Sequence, residues 1–437
     1  MSVELYKLSP SCKLIEAPLM GYIVCGNRLS VVNSAAVAKL RQAVEGCVTP
    51  KELGERLVER GIELGHLVNC DVPGIGEYVK VEYVVPLQVS IEATYACNAG
   101  CPYCYVWRSI RGKEAFIDVD VVADVFGKLY GSSGVPALNL QITGGEPLLH
   151  PRIEELLGTS YKCFRRIALL TNGILLEEYK DFIRGLRDKL VVQVSIDATE
   201  EDVYAHGKGV KGSLLRRVLD SIAWLVEHDV IVRIALPVSK INAAYVEKTI
   251  KALIDMFGGE VQIVASPVIP IREAKDLSEV FRPWNPVDAQ IYAKAVNQFY
   301  LMAKKYPRIV LHAETSELRG VIESARNCGA GWRKIAITPG GDVKPCPVFP
   351  DIIGLGNIYM QDIRVILNPL TNPAIALLYG AEKPSEETCG VCPYGPHCRG
   401  CLARGFEKAI ELGSKCLWAR QGQVYAIFGV AGGGHGV

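Results

Sequence analysis

Apolar positions recur with two different periods along the middle of the chain, and the two periods predict repeated strands and helices. Six short apolar runs are typical of buried strands: residues 87–93, 138–142, 167–170, 191–196, 231–236 and 261–265. Apolar residues at three- and four-residue spacing between these runs indicate amphipathic helices, and Asp118 and Ser213 are candidate caps for two of them. Strands that alternate with helices predict a parallel sheet from residue 87 to about 303.

The first 86 residues follow another pattern and predict a small separate unit. Short extended pieces over 12–16, 22–25 and 29–32 precede a predicted helix over 34–44. Thr49-Pro50-Lys51-Glu52 forms a capping box with proline at the first helical position, so a second helix is expected from there to about residue 59. Alternating residues over 77–85 predict a further strand.

Length and charge narrow the classes of function. A chain of 437 residues predicts two or three domains. The formal net charge of +1 gives no overall field that favours nucleic acid or an acidic membrane. Neither an apolar run of about 18 residues nor a secretory h-region occurs, so a cytoplasmic protein without a membrane span is expected. The glycine-rich end, residues 432–437, predicts a flexible tail.

Fifteen cysteines in a chain with this cytoplasmic character predict metal sites rather than disulfides. Five of them are isolated and are expected to be small buried apolar residues or free thiols: Cys12, Cys25, Cys47, Cys70 and Cys163. The other ten fall into three groups: Cys97, Cys101 and Cys104; Cys328 and Cys346; and Cys389, Cys392, Cys398, Cys401 and Cys416.

The first group has the spacing C-x3-C-x2-C and lies on the loop that leaves the first predicted strand. Three thiolates can hold three irons of a 4Fe-4S cluster and leave the fourth iron open for an external ligand. The alternative is a structural zinc loop or a surface disulfide. Zinc prefers four ligands, and no fourth cysteine or histidine follows closely.

This loop, with Tyr103 directly before its last cysteine, resembles the signature of radical S-adenosylmethionine (radical SAM) enzymes. The resemblance implies a partial (β/α)6 barrel within an α/β fold, SAM on the open iron, and Tyr103 beside the adenine. Gly144-Gly145-Glu146-Pro147 after the second strand matches the family motif that binds the methionyl end of SAM. Ser195 matches a position that contacts the ribose or methionyl part. The alternatives are an ordinary tight turn for the first motif and strand-end capping for Ser195 and Asp197.

The last third of the chain resembles the SPASM extension of radical SAM peptide maturases. A hairpin predicted around Gly340-Gly341-Asp342 leads to Cys346. By resemblance, Cys389, Cys392, Cys398 and Cys416 would hold an outer auxiliary cluster, and Cys328, Cys346 and Cys401 an inner one. Cys398 and Cys401 are separated by two residues where the family has three, and no fourth inner cysteine occurs between 329 and 345. Structural zinc remains the alternative.

The strand and helix order of the first unit resembles the PqqD-like, winged-helix-like domain that recognises leader peptides. The family's third helix is poorly developed here, at about residues 63–69, and a plain packing domain is the alternative. The predicted domains are therefore 1–86, a leader-recognition-like unit, 87–310, a radical SAM partial barrel, and 311–437, a SPASM domain.

Taken together, these resemblances imply an enzyme that reductively cleaves SAM and abstracts hydrogen from a substrate. A leader-binding-like unit beside a SPASM domain indicates a ribosomal peptide that receives a thioether or carbon–carbon crosslink. Formylglycine formation on a protein and tetrapyrrole side-chain modification are the enzymatic alternatives, and an electron-transfer or zinc scaffold protein is the non-enzymatic one. A ferredoxin or flavodoxin type of one-electron donor is expected. No residue has a spacing that identifies a catalytic acid or base.

Overall fold

The structure, a computed structural model, describes residues 4–104, 114–268, 276–282, 285–312 and 327–421. The predicted glycine-rich tail lies outside these residues. The described parts form an N-terminal unit with two small sheets of its own, a large central sheet, and a C-terminal part that continues the central sheet. Within them, every helix is too short or too polar to cross a membrane.

The N-terminal unit contains two small sheets and three helices. Its strands are β1 (Tyr6–Leu8), β2 (Cys12–Glu16), β3 (Met20–Cys25), β4 (Arg28–Asn33), β5 (Leu67–Asn69) and β6 (Glu77–Lys80). Its helices are α1 (Ser34–Glu45), α2 (Pro50–Leu53) and α3 (Glu55–Glu63). One sheet has the order β4-β3-β2-β6, and β1 pairs with β5. Leu14, Ile23 and Leu40 are at the centre of the small core that these elements share.

Local signals explain most of this unit and also its departures from prediction. The capping box is present, because Thr49 accepts from the amide of Glu52 and the Glu52 carboxylate accepts from the amide of Thr49. The helix predicted to continue to residue 59 is instead divided at Gly54, whose φ is +93°. The second half then runs to Glu63, and β5 occupies residues 67–69, where the PqqD-like family has its third helix.

Four of the five isolated cysteines form disulfides, so the expectation that they are free thiols or small apolar residues is wrong. Cys12 and Cys25 are register partners on β2 and β3, with Cα atoms 4.2 Å apart. Cys47 and Cys70, with Cα atoms 6.0 Å apart, join the end of α1 to the residue after β5. Closing loops of this size stabilises the folded unit by about 3 kcal/mol each in the chain-entropy model. The pairing of Cys12 with Cys25 was missed because it depends on strand register.

The central sheet confirms all six predicted strands. They are β7 (Gln88–Thr94), β8 (Asn139–Gly144), β9 (Arg166–Thr171), β10 (Leu190–Ser195), β11 (Ile231–Val238) and β12 (Val261–Pro267). Each is parallel to its neighbour, as predicted. A seventh, β13 (Val310–His312), adds to β12 and was not predicted, because three residues carry no readable alternation.

Helices follow the strands as the apolar spacing predicts. They are α4 (Val119–Phe126), continued by a π-helical turn (Gly127–Gly131), then α5 (Ile153–Cys163), α6 (Leu176–Arg184), α7 (Glu201–Lys208), α8 (Leu215–Glu227), α9 (Val246–Phe257) and α10 (Pro286–Lys305). Two 3-10 turns (Pro147–Leu149 and Leu277–Glu279) occur in the connections. Asp118 caps α4, as predicted. Ser213 does not cap α8: Glu201 accepts from the amide of Leu214 instead, at 3.1 Å.

The two faces of the central sheet differ in polarity. On β7, Val89, Ile91 and Ala93 are in the apolar core, so Ser90 and Glu92 point to the opposite face. Ser90 donates there to Gln141 of β8, at 3.2 Å. This polar face is the interior of the partial barrel, and it leads to the carboxyl ends of the strands.

The C-terminal part attaches to the first barrel strand. Its strands are β14 (Lys334–Ile337), β15 (Asp342–Lys344) and β16 (Gly356–Asn357). Its helices are α11 (Ile363–Ile366), α12 (Pro373–Gly380), α13 (Glu386–Cys389), α14 (Gly395–Cys398), α15 (Leu402–Leu412) and α16 (Leu417–Gln421), with a 3-10 turn (Gly413–Lys415). The predicted hairpin is confirmed as β14 and β15. β14 also pairs in parallel with β7, which brings the cysteine-rich part beside the barrel.

Candidate active site

The loop with Cys97, Cys101 and Cys104 leaves the carboxyl end of β7, at the edge where parallel strands place functional residues. Neighbouring elements hold it in place. Asn172, after β9, donates to the side chain of Asn98 at 2.7 Å. The carbonyl of Lys208, at the end of α7, accepts from the amide of Gly100 at 2.8 Å and from the thiol of Cys101 at 3.7 Å.

Gly144 and Gly145 pack backbone to backbone against the start of this loop. Gly144 has a φ of +124°, which favours glycine. A Cβ at Gly145 would lie 2.2 Å from the carbonyl oxygen of Ala96. The amide of Gly145 donates to Thr94 at 2.7 Å, and the amide of Glu146 donates to Ala96 at 2.8 Å. The two glycines therefore bring their own loop against the backbone of the cysteine loop.

Glu146 is fully buried and already has protein partners. Its carboxylate accepts from the hydroxyl of Thr171 at 2.7 Å, from the amide of Asn172 at 2.8 Å and from the amide of Leu148 at 3.2 Å. Pro147 begins the following 3-10 turn, which Glu146 caps. The carboxylate thus ties the ends of β8 and β9 together beneath the cysteine loop.

A buried ion pair lies under the same loop. Lys208 and Asp197 are each 1% exposed, and Nζ lies 2.8 Å from Oδ2. Lys208 also donates to the hydroxyl of Ser195 at 2.7 Å, and Tyr103 donates to Asp197. The structure therefore brings Tyr103 and Ser195 together through Asp197 and Lys208. Lys208 was missed because a lysine in the last turn of a helix is ordinary in sequence.

Cys328, Cys346 and Cys401 lie close enough to Lys334, at the start of β14, to act on its charge. Burial alone would lower the pKa of Lys334, but these three cysteines and a hydrogen bond to Cys328 raise it overall. Burial raises the pKa of Cys346 to about 12, so its thiol is neutral until a metal displaces the proton. The cysteines predicted to form the inner set thus lie near one lysine, although 72 residues separate the first from the last.

Cys389, Cys392, Cys398 and Cys416 line one small cavity, together with Trp418 and other apolar side chains. Lys408 also lines this cavity and is 5% exposed. Among the described residues, no three cysteine, histidine or acidic side chains converge on a single-ion site. A zinc ion would need sulfur atoms about 2.3 Å from one centre. The four outer thiols on one cavity are a set of donors that an iron–sulfur cluster requires.

Glu92 is a buried carboxyl that the sequence analysis did not single out. It lies on the polar face of β7, is 2% exposed, and its Oε1 has no hydrogen-bond partner. Burial raises its pKa to about 7, while the charge of Lys344 lowers it and that of Asp351 raises it. Lys344 itself is held by Asp351 at 2.7 Å. A proton can therefore reside on Glu92 near neutral pH, inside the barrel.

We expect Glu92→Gln to remove a pH dependence of stability. Since burial favours the protonated form of Glu92, its ionisation costs the folded state stability as pH rises from about 4.5 to about 7, by about 3 kcal/mol in full at 1.36 kcal/mol per pKa unit. The variant should therefore gain stability relative to the wild type as pH rises from 5 to 8. Thermal unfolding of both chains at several pH values measures this. Glu59→Gln, at an exposed carboxylate, is the control and should show no such trend.

Comparison with known proteins agrees with this arrangement. Residues 91–253 match the radical SAM superfamily, and residues 328–393 match SPASM, an iron–sulfur cluster-binding domain. The antilisterial bacteriocin subtilosin biosynthesis protein AlbA of Bacillus subtilis (strain 168) is 29% identical over 352 residues, which cover 78% of this chain and 73% of AlbA. The AdoMet-dependent heme synthase of Methanosarcina barkeri is 26% identical over 342 residues, covering 74% of this chain and 92% of the synthase.

Solved structures share the fold at lower identity. SuiB of Streptococcus suis, bound to S-adenosylmethionine, aligns with a TM-score of 0.59 and 13% identity over 94% of this chain and 97% of SuiB. SuiB bound to its precursor peptide SuiA gives a TM-score of 0.58 and 14% identity over 94% and 98%. The predicted α/β fold, with a partial barrel and a cysteine-rich C-terminal domain, is confirmed. The chain therefore carries a radical SAM domain and a SPASM domain, and its cofactors are SAM and iron–sulfur clusters.

Proposed function

We propose that the protein is a radical SAM peptide maturase, which forms a thioether or carbon–carbon crosslink in a ribosomally made peptide. The observation that carries the proposal is the 352-residue similarity to a bacteriocin biosynthesis protein, which covers 78% of this chain. SuiB, which has the same architecture, has been solved with a precursor peptide. The carboxyl ends of the barrel strands are the site at which such a peptide would be modified.

The residues present fit the cofactors. Cys97, Cys101 and Cys104 would hold the SAM-binding 4Fe-4S cluster, and no other cysteine lies on their loop. SAM on the open iron supplies homolytic carbon–sulfur cleavage once an electron arrives. Tyr103 would lie beside its adenine, and the loop of residues 144–147 and Ser195 would line its methionyl and ribose parts. Because Glu146 is enclosed by protein donors, we expect the backbone of Gly144 and Gly145 to present the polar atoms.

The chain's own residues position the reacting parts. Through their buried ion pair, Lys208 and Asp197 hold Ser195 beneath the cysteine loop and Tyr103 within it. The inner and outer cysteine sets would hold one auxiliary cluster each, beside β7 and further outward. Glu92 can take or hold a proton at Oε1 within the barrel. Buried polar residues of this kind exclude water from the site, while the cofactor supplies the reactivity.

The N-terminal unit, which we place at residues 1–86, is proposed to bind the leader of the peptide. Its sheet ends at β4 on one side and at β6 on the other, and the described residues add no strand beyond either. An extended peptide can pair with such an edge through its backbone.

Residues 87–310 and 311–437 are the proposed boundaries of the barrel and the SPASM domain. A ferredoxin or flavodoxin type of donor in the cytoplasm would supply the electron.

Anaerobic reconstitution with iron and sulfide, followed by SAM, a strong reductant and a candidate peptide encoded nearby, tests the proposal. About 8 to 12 irons per chain are expected, since each cube holds about four. 5′-Deoxyadenosine should form, and the peptide should lose two hydrogens per crosslink in mass spectrometry. The same peptide without its leader is the control and should react poorly.

Two outcomes would redirect the proposal. The similarity to a heme synthase makes tetrapyrrole side-chain modification the second candidate. If the protein modifies a porphyrin and leaves the peptide unchanged, the tetrapyrrole replaces the peptide as the proposed substrate. About four irons together with bound zinc would leave the radical enzyme in place but make the C-terminal cysteines structural.

A further inference from the structure

Each of the three cysteine groups has one lysine beside it. Lys208 lies under the loop of Cys101. Lys334 lies among Cys328, Cys346 and Cys401. Lys408 lines the cavity of the outer set.

The three lysines differ in what balances their charge. Lys208 is paired with Asp197 at 2.8 Å, and Lys408 is paired with Glu411. Among the described residues, Lys334 forms no ion pair with a carboxylate, and the groups that act on its charge are the cysteines themselves. The inner set is therefore the one with an unbalanced positive charge.

The backbone of a tight turn puts Lys334 in this place. Gly329, with a φ of +79°, accepts from the amide of Lys334 at 3.0 Å, which folds the chain back beside Cys328. The amide of Gly331 donates both to the carbonyl of Lys334, at 2.9 Å, and to that of Pro345, at 3.0 Å. These bonds hold the backbone of Lys334 close to the segment with Cys328, which precedes the hairpin, and to the segment with Cys346, which follows it.

We propose that Lys334 sets the reduction potential of the inner auxiliary cluster and makes it easier to reduce than the outer one. This inference rests on the proposed function only in that the three cysteines must hold a cluster. A nearby positive charge stabilises the more negative, reduced state of a cluster, and a hydrogen bond to a ligating sulfur acts in the same direction. Charge and hydrogen bonding around the sulfurs are the protein's means of tuning such potentials.

The test is a redox titration followed by electron paramagnetic resonance of the full chain. Cys97, Cys101 and Cys104 are replaced by alanine, so that only the auxiliary clusters contribute. In that background, Lys334→Met should move one midpoint to a more negative value. The ratio of reduced to oxidised inner cluster at a fixed potential should fall at least tenfold, or about 59 mV for one electron. Lys334→Arg keeps the charge and should restore most of the wild-type midpoint.

A second variant serves as the matched control at the outer set. Lys408→Met together with Glu411→Gln changes the pair at the outer cavity and should leave the inner midpoint unchanged. An unchanged midpoint in Lys334→Met, with all auxiliary iron present, would overturn the proposal. So would loss of about four irons in Lys334→Met and Lys334→Gln alike, since Lys334 would then hold the turn rather than tune a cluster.

The iron count of the parent separates this proposal from the one on which it rests. About eight irons in the parent without the SAM cluster mean that both auxiliary clusters are present. About four or none would contradict the assignment of cysteines to clusters, and with it both proposals, before any lysine is changed.

Discussion

Replacing Cys101 by alanine is expected to reduce 5′-deoxyadenosine formation to the background of a reaction without enzyme. Cys101 is the middle cysteine of its loop, and its thiol faces the carbonyl of Lys208. Two remaining thiolates cannot hold a 4Fe-4S cluster with a single open iron. The iron content should fall by about four per chain, while the iron of the C-terminal sets remains. Iron and sulfide counting, with a deoxyadenosine assay after full reconstitution, measures both effects.

Cys163→Ala is the matched control. Cys163 is a free, exposed cysteine at the end of α5, away from the three cysteine groups in sequence, and its replacement should leave iron content and turnover unchanged. SAM cleavage at the wild-type rate in reconstituted Cys101→Ala would contradict the assignment of the site. An equal loss in both variants would indicate a general effect of removing a thiol.

The strands of the central sheet could be predicted because each is marked by a pattern of apolar residues within a short segment. Each of the six barrel strands is an apolar run that packs on both faces or alternates with polar residues, and each helix carries its apolar stripe at fixed spacing. The three-residue β13 lacks such a pattern. The position of β14 beside β7 depends on pairing between residues more than 240 apart in sequence, such as Ser90 and Ala336, and no local signal encodes it.

Candidate site residues could be recognised from the sequence where a motif has a fixed spacing. They were missed where residues distant in sequence come together only in the folded chain. Spacing singled out the ten grouped cysteines, Tyr103 and the loop of residues 144–147 as candidates, and their roles stay predictions. Lys208 and Lys334 are single lysines with ordinary neighbours, and only the fold brings them to the cysteines. The same limit explains the disulfides, because Cys12 and Cys25 are recognisable as partners only in the register of β2 and β3.

The loop of residues 144–147, which matches the SAM-binding motif, also packs against the cysteine loop. This packing predicts a second large effect on cluster assembly. We expect Gly145→Ala to displace the cysteine loop and to prevent assembly of its cluster. The added Cβ would lie 2.2 Å from the carbonyl oxygen and 2.8 Å from the carbonyl carbon of Ala96, and 2.9 Å from the carbonyl oxygen of Tyr95. These are backbone atoms one and two residues before Cys97, so no side chain can rotate away to relieve the contact. Overpacking of this kind costs about 1–3 kcal/mol.

Gly158→Ala tests whether this effect is specific to the contact. Gly158 lies within α5, and a Cβ there would meet nothing within 4 Å, so the change should be neutral or slightly stabilising. Reconstituted Gly145→Ala should hold about four irons fewer than Gly158→Ala and form little deoxyadenosine. Full iron content and normal turnover in Gly145→Ala would mean that the two loops can separate without cost. In that case the close packing of the glycine loop on the cysteine loop would not be what positions the cluster.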